Sequence, residues 1–239
     1  MGSSTPTHSA TRIMMLGDAA LTVEFGRTID PAVNEQVIAF AELVRAQRWP
    51  GVLDIVPTYR SLTIHIDPLR SDLSALSDLV RSLSVSGTAG RISGREHRIP
   101  VLYGGEWGPD LEDVANFAGL SVTEAIRLHH SMPYRVYMLG FSPGFPYLGL
   151  VPAPIAMPRL ETPRMTVPAG SIGIAGNQTG IYPNSTPGGW RLIGRTPVAL
   201  YRPQSSSPFL LNPGDTVRFE PIEPEQFARM SRIEYADAS

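Results

Sequence analysis

VPAGSIGIAGNQTGIYP, residues 167–183, sets glycine at positions 170, 173, 176 and 180 among small and β-branched residues. Ser171–Ala175 reads as a short strand, and no helical pattern follows it. The dinucleotide-binding fingerprint needs a strand, a G-x-G-x-x-G turn and then a helix, so spacing and context exclude it here. Two readings of the glycines remain. They let backbone N–H groups close around a ligand as an anion-binding nest, or they mark bulges where strands approach closely. Asn177, Gln178, Thr179 and Tyr182 supply neutral donors and acceptors in either case.

The flanking sequence has the same texture. Residues 140–214 hold 13 of the 23 prolines and 11 of the 22 glycines. Turn signals separate the strand candidates Tyr134–Leu139, Met165–Val167, Trp190–Ile193, Val198–Tyr201 and Thr216–Phe219. No helix is expected beyond Tyr134, and this half reads as a compact barrel or sandwich. It opens with a strand at Glu96–Leu102 and two short helices, the second begun by the capping box Ser121-Val122-Thr123-Glu124.

The first half alternates strands and helices. Arg12–Leu16 and Ala19–Phe25 flank the Gly17-Asp18 turn, and Val52–Val56 and Ser61–Ile66 form a second strand pair. Asp30-Pro31 opens a helix carrying Val33, Val37, Phe40 and Val44; Leu73, Leu76, Val80 and Leu83 mark another. The order ββαββα predicts an α+β domain with both helices on one face of its sheet. The expected boundaries are a disordered tail at 1–11, the small α+β domain at 12–91, the mainly-β domain at 92–222 and a C-terminal tail at 223–239.

Composition narrows the chemistry. The 239 residues are 42% hydrophobic and 18% charged, with a net charge of -2, so the chain lacks the cationic surplus of a nucleic-acid or anionic-membrane binder. No apolar run reaches the roughly 18 residues of a membrane span and no signal peptide is visible, which makes the cytoplasm the expected location. Cysteine is absent, and all 20 basic residues are arginine. Thiol nucleophiles, cysteine-based metal sites, Schiff-base lysines and the phosphate-loop lysine are thereby excluded. The histidines, at 8, 65, 97, 129 and 130, all precede Met132. A triad using Ser142 or Ser171 with Asp215 would rest on available letters rather than geometry. His129-His130 is expected at a helix end, where an imidazolium favours the dipole. Adjacent helical side chains point about 100° apart, so no metal site is expected there.

Two further segments read as parts of a site. Leu139–Gly149 places Phe141, Phe145 and Tyr147 between Pro143, Gly144 and Pro146, either as a wall for a flat ligand or as a barrel corner closed by its aromatics. Thr186–Thr196 contains Gly188, Gly189, Trp190 and Arg195. Arg195, Arg159 and Arg164 lie in a stretch, 140–214, whose one acid is Glu161, which points to an anionic or carbonyl substrate.

GDAALTVEFG at 17–26, YRSL at 59–62, YRVYMLGFSPGFPYLG at 134–149, TPRMTVPAGSIGIAGNQTGIYP at 162–183 and TPGGWRLIGRTP at 186–197 together resemble the family of 5-oxoprolinase B subunits, also labelled allophanate hydrolase subunit 1. That family includes a bacterial inhibitor of a sporulation histidine kinase and is related to the carboxyltransferase part of urea carboxylase. The resemblance implies that a cyclophilin-like β-barrel follows the α+β domain. It implies two partners, a paralogous C subunit (allophanate hydrolase subunit 2) and the A subunit of 5-oxoprolinase. It also implies ATP-dependent opening of a small amide or lactam, most directly 5-oxoproline to glutamate. ATP is then a co-substrate, whose site could lie on a partner. Urea or allophanate metabolism and a non-catalytic kinase inhibitor are the alternatives it carries. ATP can turn an unreactive amide oxygen into a phosphate leaving group, after which preorganised amides and arginines hold the developing charge. Arg195 and Gln178 are the expected catalytic residues. Phe141, Pro143, Gly144, Phe145, Tyr147, Thr179, Tyr182, Gly188, Gly189, Trp190 and Arg164 are the expected substrate contacts.

Overall fold

Alternation along Ser61–Ile66 decides the first sheet: Leu62, Ile64 and Ile66 are buried, while His65 is exposed. The computed structural model describes residues 11–86 and 94–237, so most of the tail expected at 1–11 and the end of the α+β domain lie outside the described residues. The chain divides into two compact units, Met1–Ser93 and Gly94–Ser239. In the first, β1 (Arg12–Leu16), β2 (Ala20–Glu24), α1 (Pro31–Ala46), β3 (Val52–Pro57), β4 (Ser61–Ile66) and α2 (Leu73–Ser86) follow one another. The sheet is antiparallel in the order β1-β2-β4-β3. Asp30 caps α1 by accepting hydrogen bonds from the Ala32 and Val33 amides at 2.7 and 3.3 Å. The helices touch each other; α1 packs on β3 and β4, and α2 on β2. Leu21, Val23, Phe40, Val44, Leu76 and Val80 form the shared core, each contributing about 1.5–3 kcal/mol by leaving water.

In the second unit β5 (Glu96–Tyr103) leads to α3 (Leu111–Ala118) and α4 (Val122–His130). Then come β6 (Tyr134–Leu139), β7 (Pro146–Gly149), β8 (Arg164–Val167), β9 (Ser171–Ala175) and β10 (Gln178–Ile181). The unit ends with β11 (Thr186–Gly188), β12 (Arg191–Arg195), β13 (Thr216–Pro221) and α5 (Pro224–Asp237). Seven strands close a barrel in the order β10-β7-β6-β13-β5-β12-β9, while β8 and β11 pair separately. The β13–β5 pair is parallel and the other barrel pairs are antiparallel. Ile99, Val101, Val136, Leu148, Ile172, Ile174 and Val217 fill the interior, and Leu111, Val114 and Ala125 from α3 and α4 complete the same core. The Ser121–Glu124 capping box is present: the Glu124 amide donates to Ser121 Oγ, and Glu124 Oε2 accepts from the Ser121 amide at 2.9 Å.

Two expectations are corrected. The chain is helical beyond Tyr134, because α5 occupies most of the tail expected at 223–239. Pro224 sits at its first position, the Gln226 side chain accepts from the Glu223 amide at 3.0 Å, and Phe227 packs on Trp107 with ring centroids 4.8 Å apart. Val198–Tyr201 forms no strand; it holds an isolated bridge between Tyr201 and Phe209, with the Leu210 amide donating to the Leu200 carbonyl at 3.0 Å. Pro197 and Pro203 bracket it, and each lacks the N–H that a ladder requires. Among the described residues no helix is long and apolar enough to cross a membrane.

Candidate functional site

The glycine-rich run is the β9–β10 hairpin. Gln178 pairs with Ala175 across the two-residue turn Gly176-Asn177, and Gly176 takes the left-handed conformation at φ +58°. The amides of Gly170, Ser171 and Gly176 donate to the carbonyls of Tyr182, Pro168 and Met157, so they are not turned toward a ligand as a nest. The other glycines make room for rings. A Cβ on Gly180 would lie 2.8 Å from Phe145 Cζ and 3.0 Å from Trp190 Cζ3; one on Gly188 would lie 2.4 Å from the Tyr182 hydroxyl. Gly180→Ala is therefore expected to lower stability by about 1–3 kcal/mol through overpacking, read as a lower urea midpoint with an unchanged m-value.

Those rings form one cluster. Phe145 stands 5.1 Å from Tyr182, 5.3 Å from Trp190 and 5.0 Å from Tyr147, centroid to centroid. Phe141 caps it, 5.5 Å from Phe145 and 6.3 Å from Tyr182. Phe145 and Tyr182 are sealed inside, each 1% exposed, while Phe141 is 63% exposed at φ +66°. Burial, opposed by a hydrogen bond to the Trp190 backbone, raises the Tyr182 pKa and keeps its phenol protonated. Pro143 lies exposed on the same loop; Gly144 is buried at φ +81°, and the Gly189 carbonyl accepts from the Leu160 amide at 2.7 Å.

The arginines open a different concavity. A recess of about 200 Å³ is lined by Glu106, Trp107, Arg164, Thr166, Ser171 and Arg195, with Pro109, Pro168 and Leu192. The Arg195 guanidinium lies 5.3 Å over the Trp107 ring, and its Nε donates to the Ala169 carbonyl at 2.7 Å. Arg164 Nη2 donates to Asp110 Oδ1 at 2.7 Å, and Asp110 Oδ2 accepts from the Leu192 amide at 2.6 Å. Arg191 pairs with Asp113 at 3.6 Å, and Arg159 is exposed. The cation surplus within 140–214 is thus partly met by acids of the α3 region. Gln178 lies elsewhere: it pairs with Ala175, whereas Arg195 pairs with Ser171. The two pairing residues are four apart on β9, about 13 Å at ~3.3 Å per residue.

Thr179 faces inward, fully buried, in a polar chain that the sequence did not suggest. His129 Nε2 lies 3.0 Å from Thr179 Oγ1, which donates to the Gly173 carbonyl at 2.9 Å; His129 Nδ1 lies 2.8 Å from the Tyr103 hydroxyl. One proton arrangement satisfies all three contacts: Tyr103 donates to Nδ1, and Nε2–H donates to Thr179. Burial, reinforced by the neighbouring His130, pulls the His129 pKa down to about 3. The imidazolium expected at this helix end is corrected to a neutral ring stacked between Tyr134 and Phe219, with centroids 5.4 and 4.7 Å away.

The fold, with its closed barrel and arginine-lined recess, is that of a carboxyltransferase domain: the family model for subdomains C and D matches residues 11–211. The chain belongs to the family of 5-oxoprolinase B subunits. It is 44% identical over 227 residues to the 5-oxoprolinase B subunit of Bacillus subtilis (strain 168), covering 90% of this chain and 95% of that one. Identity to the 5-oxoprolinase B subunit of Escherichia coli O157:H7 is 42% over 211 residues, covering 88% and 95%. The crystal structure of TTHA0988 superposes with a TM-score of 0.76 at 41% identity over 85% of this chain, which spans 40% of that protein's length. The Kluyveromyces lactis urea amidolyase, at 19% identity and a TM-score of 0.77, covers 94% of this chain, which spans 16% of the enzyme; the two share the fold.

Proposed function

We propose that this chain is the B subunit of an ATP-dependent lactam hydrolase that opens 5-oxoproline to glutamate in the cytoplasm, working with a paralogous C subunit plus the enzyme's A subunit. The observation that carries the reading is 44% identity across 95% of the B. subtilis relative. On this reading the barrel is of the cyclophilin-like type, and ATP phosphorylates the lactam oxygen before water attacks the ring carbon. Charge then gathers on oxygen, and a fixed guanidinium facing the recess suits its stabilisation. Arg195 meets that description, held by Trp107 on one side and the Ala169 carbonyl on the other.

The test is co-expression of the three subunits with an assay of glutamate released from 5-oxoproline with ATP. Release that requires all three chains supports the reading; undiminished release without this chain refutes it. Urea metabolism is the second reading, favoured by 23% identity to the Saccharomyces cerevisiae urea amidolyase over 90% of this chain. Urea and allophanate therefore belong in the same assay, and turnover of either in place of 5-oxoproline would select that reading.

A further inference from the structure

The sheet of the first unit ends in two edges, and the chain treats them differently. An edge strand offers unpaired N–H and C=O groups to any extended chain, and proteins ordinarily blunt it with bulges, prolines or charged side chains. On β3 all three are present. Its register shifts between Val52 and Asp54, so Leu53 takes no partner in the ladder. The Ile55 amide donates to Asp54 Oδ1 at 2.7 Å, and the Ile55 carbonyl accepts from Arg45 Nη2 at 2.8 Å. Pro57 brings no N–H. This edge is closed.

The other edge, β1, is open. Arg12–Leu16 pairs with β2 residue for residue without a shift, contains no proline, and carries its one charge, Arg12, at its end. The neighbouring ladder decides which of its backbone groups are free. The Ile66 amide donates to the Ala19 carbonyl and the Phe25 amide to the Arg60 carbonyl, so odd-numbered residues along β2 turn toward β4. Ala20, Thr22 and Glu24 therefore turn toward β1, where their partners are Leu16, Met14 and Arg12. Ile13 and Met15 direct both backbone groups outward, and among the described residues β1 pairs with β2 alone. Met15 and Leu16 are 49% and 51% exposed along this edge.

The strand is its own complement. Laid antiparallel against a second copy about a two-fold axis at Met14, Ile13 exchanges both hydrogen bonds with the second copy's Met15, and Met15 with its Ile13. Every outward group gains a partner, whereas a slip of one residue would set outward groups against inward ones. Ile13 and Met15 share a sheet face with the core residues Val23 and Leu21, so the pairing extends the apolar layer across the axis. The ends match in charge as well. Arg12 falls opposite the second copy's Leu16 and diagonal to its exposed Asp18, within reach of a long side chain, and the symmetry repeats the contact.

We infer that the β1 edge is a self-association surface, through which two copies of this chain join antiparallel β1 strands into one continuous sheet. The contact is short, so the dimer forms and dissociates with concentration. It concerns the first unit and is independent of the reaction proposed above.

Sedimentation velocity of the full chain over a concentration series tests it, with monomer expected to pass to dimer. Met15→Pro removes an N–H that β2 does not use, and should raise the dimer dissociation constant about tenfold or more. A second variant serves even if that one folds poorly. The chain has no cysteine, so Met14→Cys places the dimer's only thiols at the axis. Facing Cα atoms of a non-hydrogen-bonded pair lie about 4.5 Å apart there, within disulfide range. Mild oxidation should cross-link this variant about tenfold or more faster than Leu16→Cys, whose two thiols would stand four residues out of register, about 13 Å apart. A chain that stays monomeric across the series, a folded Met15→Pro variant that associates like the parent, or Leu16→Cys cross-linking as fast as Met14→Cys would overturn the inference. A monomer whose Ile13 and Met15 amides are already protected from hydrogen exchange would give the edge to another segment of the same chain, and would overturn it too.

Discussion

Arg195→Met in the assembled enzyme is expected to lower kcat/KM for glutamate release by about 100-fold or more, the range seen when one preorganised charge-stabilising donor is removed. The size of the effect follows from how the guanidinium is held. Its Nε is fixed on the Ala169 carbonyl at 2.7 Å and its face lies 5.3 Å from the Trp107 ring centroid, so it needs little reorganisation when charge develops. Methionine retains the apolar contact with Trp107 and loses the charge. Loss of the Nε hydrogen bond to the Ala169 carbonyl should itself cost the fold only about 0.5–1.5 kcal/mol. Steady-state kinetics with 5-oxoproline, read beside a urea titration of the variant, separates the two effects. A large loss of stability with unchanged turnover would assign Arg195 a structural part instead.

His129→Ala is expected to lower unfolding free energy by about 3–5 kcal/mol, the range for deleting a buried aromatic side chain. The ring is 1% exposed between Tyr134 and Phe219, and its removal leaves Tyr103 and Thr179 without their shared partner. A pH dependence accompanies it. The folded ring stays neutral down to about pH 3, whereas the unfolded one protonates below 6.5. Between those values the unfolded state binds the extra proton, so stability falls as pH drops from 6.5 toward 3. The steepest slope is about 1.4 kcal/mol per pH unit. His129→Phe keeps the stack and removes the proton site, so its stability profile should be flatter than the parent's over that window. Parallel profiles would show that His129 is protonated in the folded protein.

Periodicity made the first unit legible: Leu62, Ile64 and Ile66 alternate, the apolar positions of α1 recur at helical spacing, and Asp30-Pro31 announces the helix start. Turn-rich sequence was less transparent. Gly176-Asn177 between two apolar runs is a hairpin signal, yet a regular glycine spacing across 170–180 also suits a ligand loop. What separates the two readings is the bulk of Phe145, Trp190 and Tyr182 arriving from distant strands. Helix α5 was obscured because its sequence is polar and Phe227, buried on it, finds its partner Trp107 some 120 residues away. The recess was half legible. Arg195 and Arg164 were visible as cations in an acid-poor segment, but Trp107, Glu106 and Asp110 come from before α3, where nothing in the local pattern marks them. His129 carried an ordinary helix-end signature, and only its burial reveals a neutral ring.

A crystal structure of the assembled enzyme with 5-oxoproline and a non-hydrolysable ATP analogue would examine the recess in a single measurement. The lactam ring oxygen is expected within about 3 Å of the Arg195 guanidinium, with Asp110 still paired with Arg164. A lactam bound elsewhere, with the space beside Trp107 and Arg195 filled by the nucleotide or by a partner's side chain, would contradict it.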